Sequence, residues 1–100
     1  MKDIVSKFNK AFESRIRLGI MSVLTVNEKI DFSSLKELLG TTDGNLSSHL
    51  TSLEKEGFIR MIKKFVDRKP KTIYSATEKG KKAFHDHLDL LEKIIRQQEN

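Results

Sequence analysis

Apolar residues recur at helical spacing through the first half of the chain, give way to a β-branched and aromatic stretch past the middle, and return to helical spacing at the end. Ile4 or Val5, Phe8 and Phe12 predict a short amphipathic first helix. Ser14 stands where it would cap a second helix, whose buried stripe is Ile16, Ile20, Val23 and Leu24. Ile30-Asp31-Phe32 reads as a short extended piece. Ser34 and Glu37 have capping-box spacing and open a helix with Leu35, Leu38 and Leu39 inside and Gly40 just past its end. Thr42 caps the next helix, Asp43 to Glu56, and Gly57 closes it.

The stretch Phe58 to Val66 alternates only partly and predicts a strand. Asp67-Arg68-Lys69-Pro70 reads as a turn and Thr72 to Ala76 as a second strand, with Pro70 where no ladder donor is required. Thr77 is a plausible N-cap for a long last helix running to about Arg96, with Phe84, Leu88, Leu91 and Ile95 spaced 4-3-4. No repeat, low-complexity tract or linker interrupts the series. The reading is one domain over 1–100, mainly α with a small β-hairpin, in which segments 1–13 and 78–100 are flanking helices.

Composition narrows the picture. Of the 100 residues 37% are hydrophobic and 33% charged, and no apolar run approaches the roughly 18 residues of a membrane span. The first ten residues, MKDIVSKFNK, do not resemble a signal peptide. Cysteine is absent, which excludes disulfides and thiolate chemistry, and a cytoplasmic setting is expected. The net charge of +5 is concentrated: Arg60, Lys63, Lys64, Arg68, Lys69 and Lys71 face a single acid, Asp67, so the other residues balance to zero. Such a patch suits a polyanion, although a merely solvated lysine-rich hairpin would look the same by charge alone.

The helices joined by Gly40-Thr41-Thr42 form a helix-turn-helix candidate. On the second of them Leu46, Leu50 and Leu53 share one face. Opposite them lie Gly44, Ser48, Thr51 and Lys55, flanked by Asn45, Ser47 and Ser52. An ordinary solvated face would more often carry Glu and Lys pairs. Small hydrogen-bonding side chains instead let a helix enter the major groove, and the free N–H groups after Thr42 suit phosphate. His49, at the edge of the stripe, either packs against a neighbouring helix or reaches a phosphate.

At this point the sequence resembles a known group. Thr42-Asp43-Gly44-Asn45-Leu46-Ser47-Ser48-His49-Leu50 followed by Leu53-Glu54-Lys55-Glu56-Gly57-Phe58-Ile59 is similar to the recognition helix of winged helix-turn-helix regulators. Lys63 to Thr72, then Tyr74 through Thr77-Glu78-Lys79-Gly80, resembles their wing and wing-to-helix junction. The resemblance covers about residues 14–85, and is strongest to the compact branch related to MarR and ArsR proteins. It implies a dimer, control of nearby genes, and contacts to double-stranded DNA from the recognition helix and from wing residues Lys63, Lys64, Arg68, Lys69 and Lys71. A phosphate contact by His49 is likewise an implication of the resemblance. Metal sensors of the group that ligate through cysteine are not matched, since there is none.

Other classes fit less well. There is no G-x-x-x-x-G-K-[ST] loop and no evident acid to orient a histidine beside Ser47, Ser48 or Ser52, so neither enzymatic activity nor a cofactor is expected. His85 and His87, two apart on a helix, cannot share a face. Solvated histidines are expected there and no metal site, although His85 and Asp89 could share a face. A hairpin tip without Trp or Leu argues against a membrane role. The rival function is a winged helix serving only protein–protein interaction, which would call for an apolar or acidic recognition face. The last helix, about 30 Å long at 1.5 Å per residue, either folds back on its own core or packs on a second copy. The homodimer is the reading adopted, with Phe8, Phe12, Phe84, Leu88, Leu91 and Ile95 at the interface and an inverted repeat as the DNA partner. No feature points to a particular small-molecule effector.

Overall fold

The leucine stripe of the fourth helix sits at the centre of the molecule: Leu46 and Leu53 are 0% and Leu50 2% exposed. The computed structural model describes residues 1–99, with side chains through 97. In chain order the elements are α1 (Lys2–Val5), a 3-10 turn (Lys10–Phe12), α2 (Arg15–Val26), β1 (Ile30–Asp31), α3 (Phe32–Leu39), α4 (Asp43–Lys55), β2 (Ile59–Val66), β3 (Lys69–Ala76) and α5 (Glu78–Glu99). Around the α4 leucines close Ile16, Ile20, Met21 and Leu24 of α2, Leu35 of α3, and Phe58, Ile59 and Tyr74 from the sheet side. The three strands are antiparallel in the order β1-β3-β2, so the short first strand joins the hairpin rather than standing alone. No described helix is long and apolar enough to cross a membrane.

The end signals act where the spacing placed them. Ser14 Oγ accepts from the N–H groups of Ile16 and Arg17, and Thr42 Oγ1 accepts from that of Asn45. Gly40 ends α3 in the left-handed region, with φ 60°. Gly57, at φ 78°, ends α4 in a Schellman arrangement: its N–H bonds Glu54 C=O, and the Phe58 N–H bonds Leu53 C=O. The same corner seats α5. Thr77 donates its hydroxyl to Gly57 C=O at 2.6 Å and its N–H to Phe58 C=O, while its Oγ1 accepts from Gly80 N–H. Gly80 lies so close to this corner that a Cβ would come within 2.0 Å of Phe58 O.

Five expectations change. The first helix is two pieces, because Asn9 is extended and its side chain accepts from Ala11 N–H, breaking the helical run after Val5. That break turns Phe12 into the protomer's own core, with ring centroids 5.6 Å from Phe58 and 5.8 Å from Phe84. Phe12 and Phe84 are therefore 2% and 5% exposed within one chain and are not free to form a dimer surface. Helix α3 begins at Phe32, capped by Asp31 rather than Ser34. Pairing of Ile30 and Asp31 with Tyr74 and Ile73 ends the strand there, and the Asp31 carboxylate takes both the N–H and the hydroxyl of Ser34. Leu38 faces solvent rather than the core, 63% exposed. Finally, the hairpin turn is two residues, Asp67-Arg68, both at positive φ, and Lys69 and Pro70 belong to β3. Counting from the Val66–Lys69 pair, Phe65–Pro70 is a pair without mutual ladder bonds, so the missing Pro70 N–H costs nothing there.

His87 also departs from the expectation of a solvated residue. It is 7% exposed, with its ring 5.3 Å from both Phe8 and Phe12, and its Nδ1 has no partner; His85 is exposed. Three groups suited to metal ligation do not converge anywhere among the described residues. Burial pushes the His87 pKa below 6.5, and His49 shifts the same way through desolvation and then Arg17. The unfolded chain therefore binds these protons more readily than the folded one. Their contribution is complete above the unfolded histidine pKa of about 6.5 and is lost as pH falls through the lower folded values. The melting temperature should drop between pH 7.5 and 5.5, and His87→Leu should flatten that drop in a scanning calorimetry series. An equally steep drop in the variant would remove His87 as a source.

Candidate nucleic-acid interface

With its leucines sealed in the core, α4 is held so that the opposite side meets solvent. Gly44, Asn45, Ser47, Ser48, Thr51 and Lys55 are exposed, and Ser52 is half-buried. Asn45 donates to Thr41 Oγ1 and Ser52 to the Ser48 carbonyl. The Thr42 oxygen accepts as a cap and keeps its hydroxyl hydrogen as a donor. Nothing in the fold demands the glycine: a Cβ on Gly44 would meet no atom within 4 Å. Glycine inside a helix costs roughly 0.5–1 kcal/mol relative to alanine, and here it leaves the first turn of α4 open to close approach. Lys36 of α3 pairs with Asp43 at 2.9 Å across the turn, tying the two helices of the motif at their exposed junction.

The hairpin carries the predicted cations, but not all on one side. Strand register puts Lys63 on the face with Phe65, Pro70 and Thr72. Lys64, Lys69 and Lys71 lie on the other, with Arg68 in the turn. Lys64 and Lys71 are direct cross-strand partners. Like charges so placed disfavour pairing by some tenths of a kcal/mol. Arg68 at φ 66° occupies a turn position where glycine is conformationally preferred. All five cations are exposed, and none forms an ion pair among the described residues. Phe65, an apolar side chain at a tip that has neither Trp nor Leu, is 76% exposed beside them.

His49 is half-buried, and its Nδ1 accepts from Arg17 Nε at 3.0 Å, which is the packing alternative for this residue. Arg17 carried no local signal: it lies in the first turn of α2, 32 positions away. This bond ties the edge of α4 to one residue of α2.

A helix-turn-helix with a two-stranded wing between its second helix and a long C-terminal helix defines a class, the winged helix. The chain belongs to the winged helix DNA-binding domain family, whose model matches residues 16–95. It is 40% identical over 79 residues to the uncharacterized protein MJ0432 of Methanocaldococcus jannaschii, a match spanning 79% of this chain and 86% of that protein. Its fold is similar to the transcriptional regulator homologue from Pyrococcus horikoshii OT3, with TM-score 0.86 and 31% identity over 99% of this chain and 96% of that one. It is also similar to the putative transcriptional regulator ytfH from Salmonella typhimurium, with TM-score 0.71 and 25% identity over 91% and 87% of the two chains.

Ser48 tests the α4 face because it is exposed and outside the core. Ser48→Glu sets a carboxylate where phosphates are to lie, and should weaken duplex binding by about tenfold or more while stability stays within about 0.5 kcal/mol. Fluorescence anisotropy with denaturant melts separates the two effects. Undiminished binding by a folded variant would take this helix out of the groove.

Proposed function

We propose that this chain is a homodimeric, sequence-specific transcriptional regulator of the MarR/ArsR general type that binds an inverted repeat in double-stranded DNA and represses nearby genes. The observation that carries the reading is the outward face of α4, small, uncharged over most of its length and backed by a fully buried leucine stripe, beside a wing whose cations form no ion pair among the described residues. Such a helix enters the major groove, and the wing's charges meet the flanking phosphates. The regulator homologue of Pyrococcus horikoshii supports a regulatory role. The chain acts by binding, without a catalytic step of its own.

The dimer rests on α5. Its first turns pack on the protomer's core through Phe84 and His87, whereas Leu88, Leu91 and Ile95 stay 41%, 39% and 59% exposed along one side. The radius of gyration of 15.2 Å exceeds the roughly 13 Å of a compact domain this size, as expected for a helix and wing that project. A second copy, related by a two-fold axis, would cover that side and set two α4 helices about 34 Å apart, one turn of DNA. The interface proposed is Leu88, Leu91 and Ile95 with the half-buried Phe8 at its margin.

Selection from random duplex DNA should enrich an inverted repeat; enrichment of nothing would refute sequence-specific binding. Leu91→Lys should yield a folded monomer, since it removes about 1.5–3 kcal/mol of apolar burial per chain and opposes like charges. It should also lose operator affinity. Sedimentation of the wild type as a monomer at tens of micromolar would contradict the dimer, and a dimeric variant would move the interface elsewhere.

A further inference from the structure

We propose that Arg17 and His49 form a phosphodiester-binding pair on the flank of α4, with the imidazole positioning a guanidinium whose outer edge receives phosphate oxygens. The inference rests on the duplex-DNA reading above and adds a contact from a third element, α2.

Arg17 Nε donates to His49 Nδ1 at 3.0 Å. A ring that accepts at Nδ1 carries its proton on Nε2, so the imidazole, as acceptor, fixes the guanidinium and leaves the Arg17 Nη hydrogens free as donors. A surface made only of donors and one fixed positive charge suits an oxyanion, and the guanidinium fork suits phosphate in particular. Neither residue forms an ion pair among the described residues. Burial and the adjacent Arg17 charge hold His49 toward the neutral form that this geometry requires.

The position of Arg17 is a second, independent observation. Arg15 and Arg17 stand in the first turn of α2, and no acid accompanies them there. Cations at a helix N-terminus oppose the macrodipole, so the helix gains nothing from them. A bound anion at that end relieves both. The geometry on α4 agrees: His49 lies between the leucine stripe and the Asn45–Ser52 edge of the polar face, so Arg17 continues that edge onto α2. A helix seated in the major groove has a sugar–phosphate strand along each such edge.

The test is duplex affinity as a function of salt for the wild type, Arg17→Ala, His49→Ala, His49→Asn and the Arg17→Ala/His49→Ala double variant, each with a thermal melt. Arg17→Ala should bind all duplex sequences about tenfold more weakly and lower the salt slope by about one unit. His49→Ala should lose part of the same affinity. His49→Asn, whose Oδ1 can take the place of Nδ1 as acceptor, should recover it. The double variant should be no weaker than Arg17→Ala, because the histidine acts through the arginine. A lowered melting temperature with an unchanged salt slope in Arg17→Ala would make the pair a strut between α2 and α4 and overturn the proposal. Additive losses in the double variant would overturn the positioning role of His49. Absence of duplex binding by the wild type itself would instead overturn the DNA reading, and the pair's ligand with it.

Discussion

Everything on the binding surface depends on the burial of Leu46, Leu50 and Leu53. Three leucines at one helical face, each at most 2% exposed, fix the rotation of α4 about its axis as well as its position. At roughly 1.5–3 kcal/mol for each buried side chain, turning the helix to hide its serines would forfeit more than a small domain can spare. The polar face is therefore offered outward as a consequence of packing. Its small side chains cost the core nothing, which leaves them free to be chosen for whatever approaches them.

The wing obeys a different constraint. It is a two-stranded extension beyond the core, with cations on both faces, two lysines directly opposed and an arginine held at positive φ. Each of these features works against the isolated hairpin, and no described acid offsets them through an ion pair. Local conflict of this kind is expected where a surface is complementary to a charged partner rather than to solvent. Arg15 and Arg17 at the start of α2 show the same sign of mismatch.

What could be read from the sequence was what local chemistry determines. Thr42, Gly40 and Gly57 mark their helix ends because a cap needs only its own few residues, and the leucine period of α4 identifies its buried face. The misplacements arose where a distant contact chose between local options. Asp31 and Ser34 are both good caps, and the pairing of β1 with β3 selected Asp31. The spacing of Phe8 and Phe12 continues a helix, yet Asn9 breaks it so that Phe12 can meet Phe58 and Phe84. On α5 periodicity defines a stripe but not which body covers each part, so Phe84 shares the spacing of Leu88, Leu91 and Ile95 yet is buried in its own protomer. Arg17 was invisible for the same reason, since its partner lies 32 positions along the chain.

If α4 and the basic wing form one duplex-DNA surface, binding must respond to salt. The most direct measurement is the affinity of the purified chain for double-stranded DNA from low to moderate salt. The account predicts a linear fall of log K with log salt, with a slope of roughly −0.9 for each phosphate contacted and several contacts in all. Binding that does not change with salt, or no binding at low salt, would contradict it.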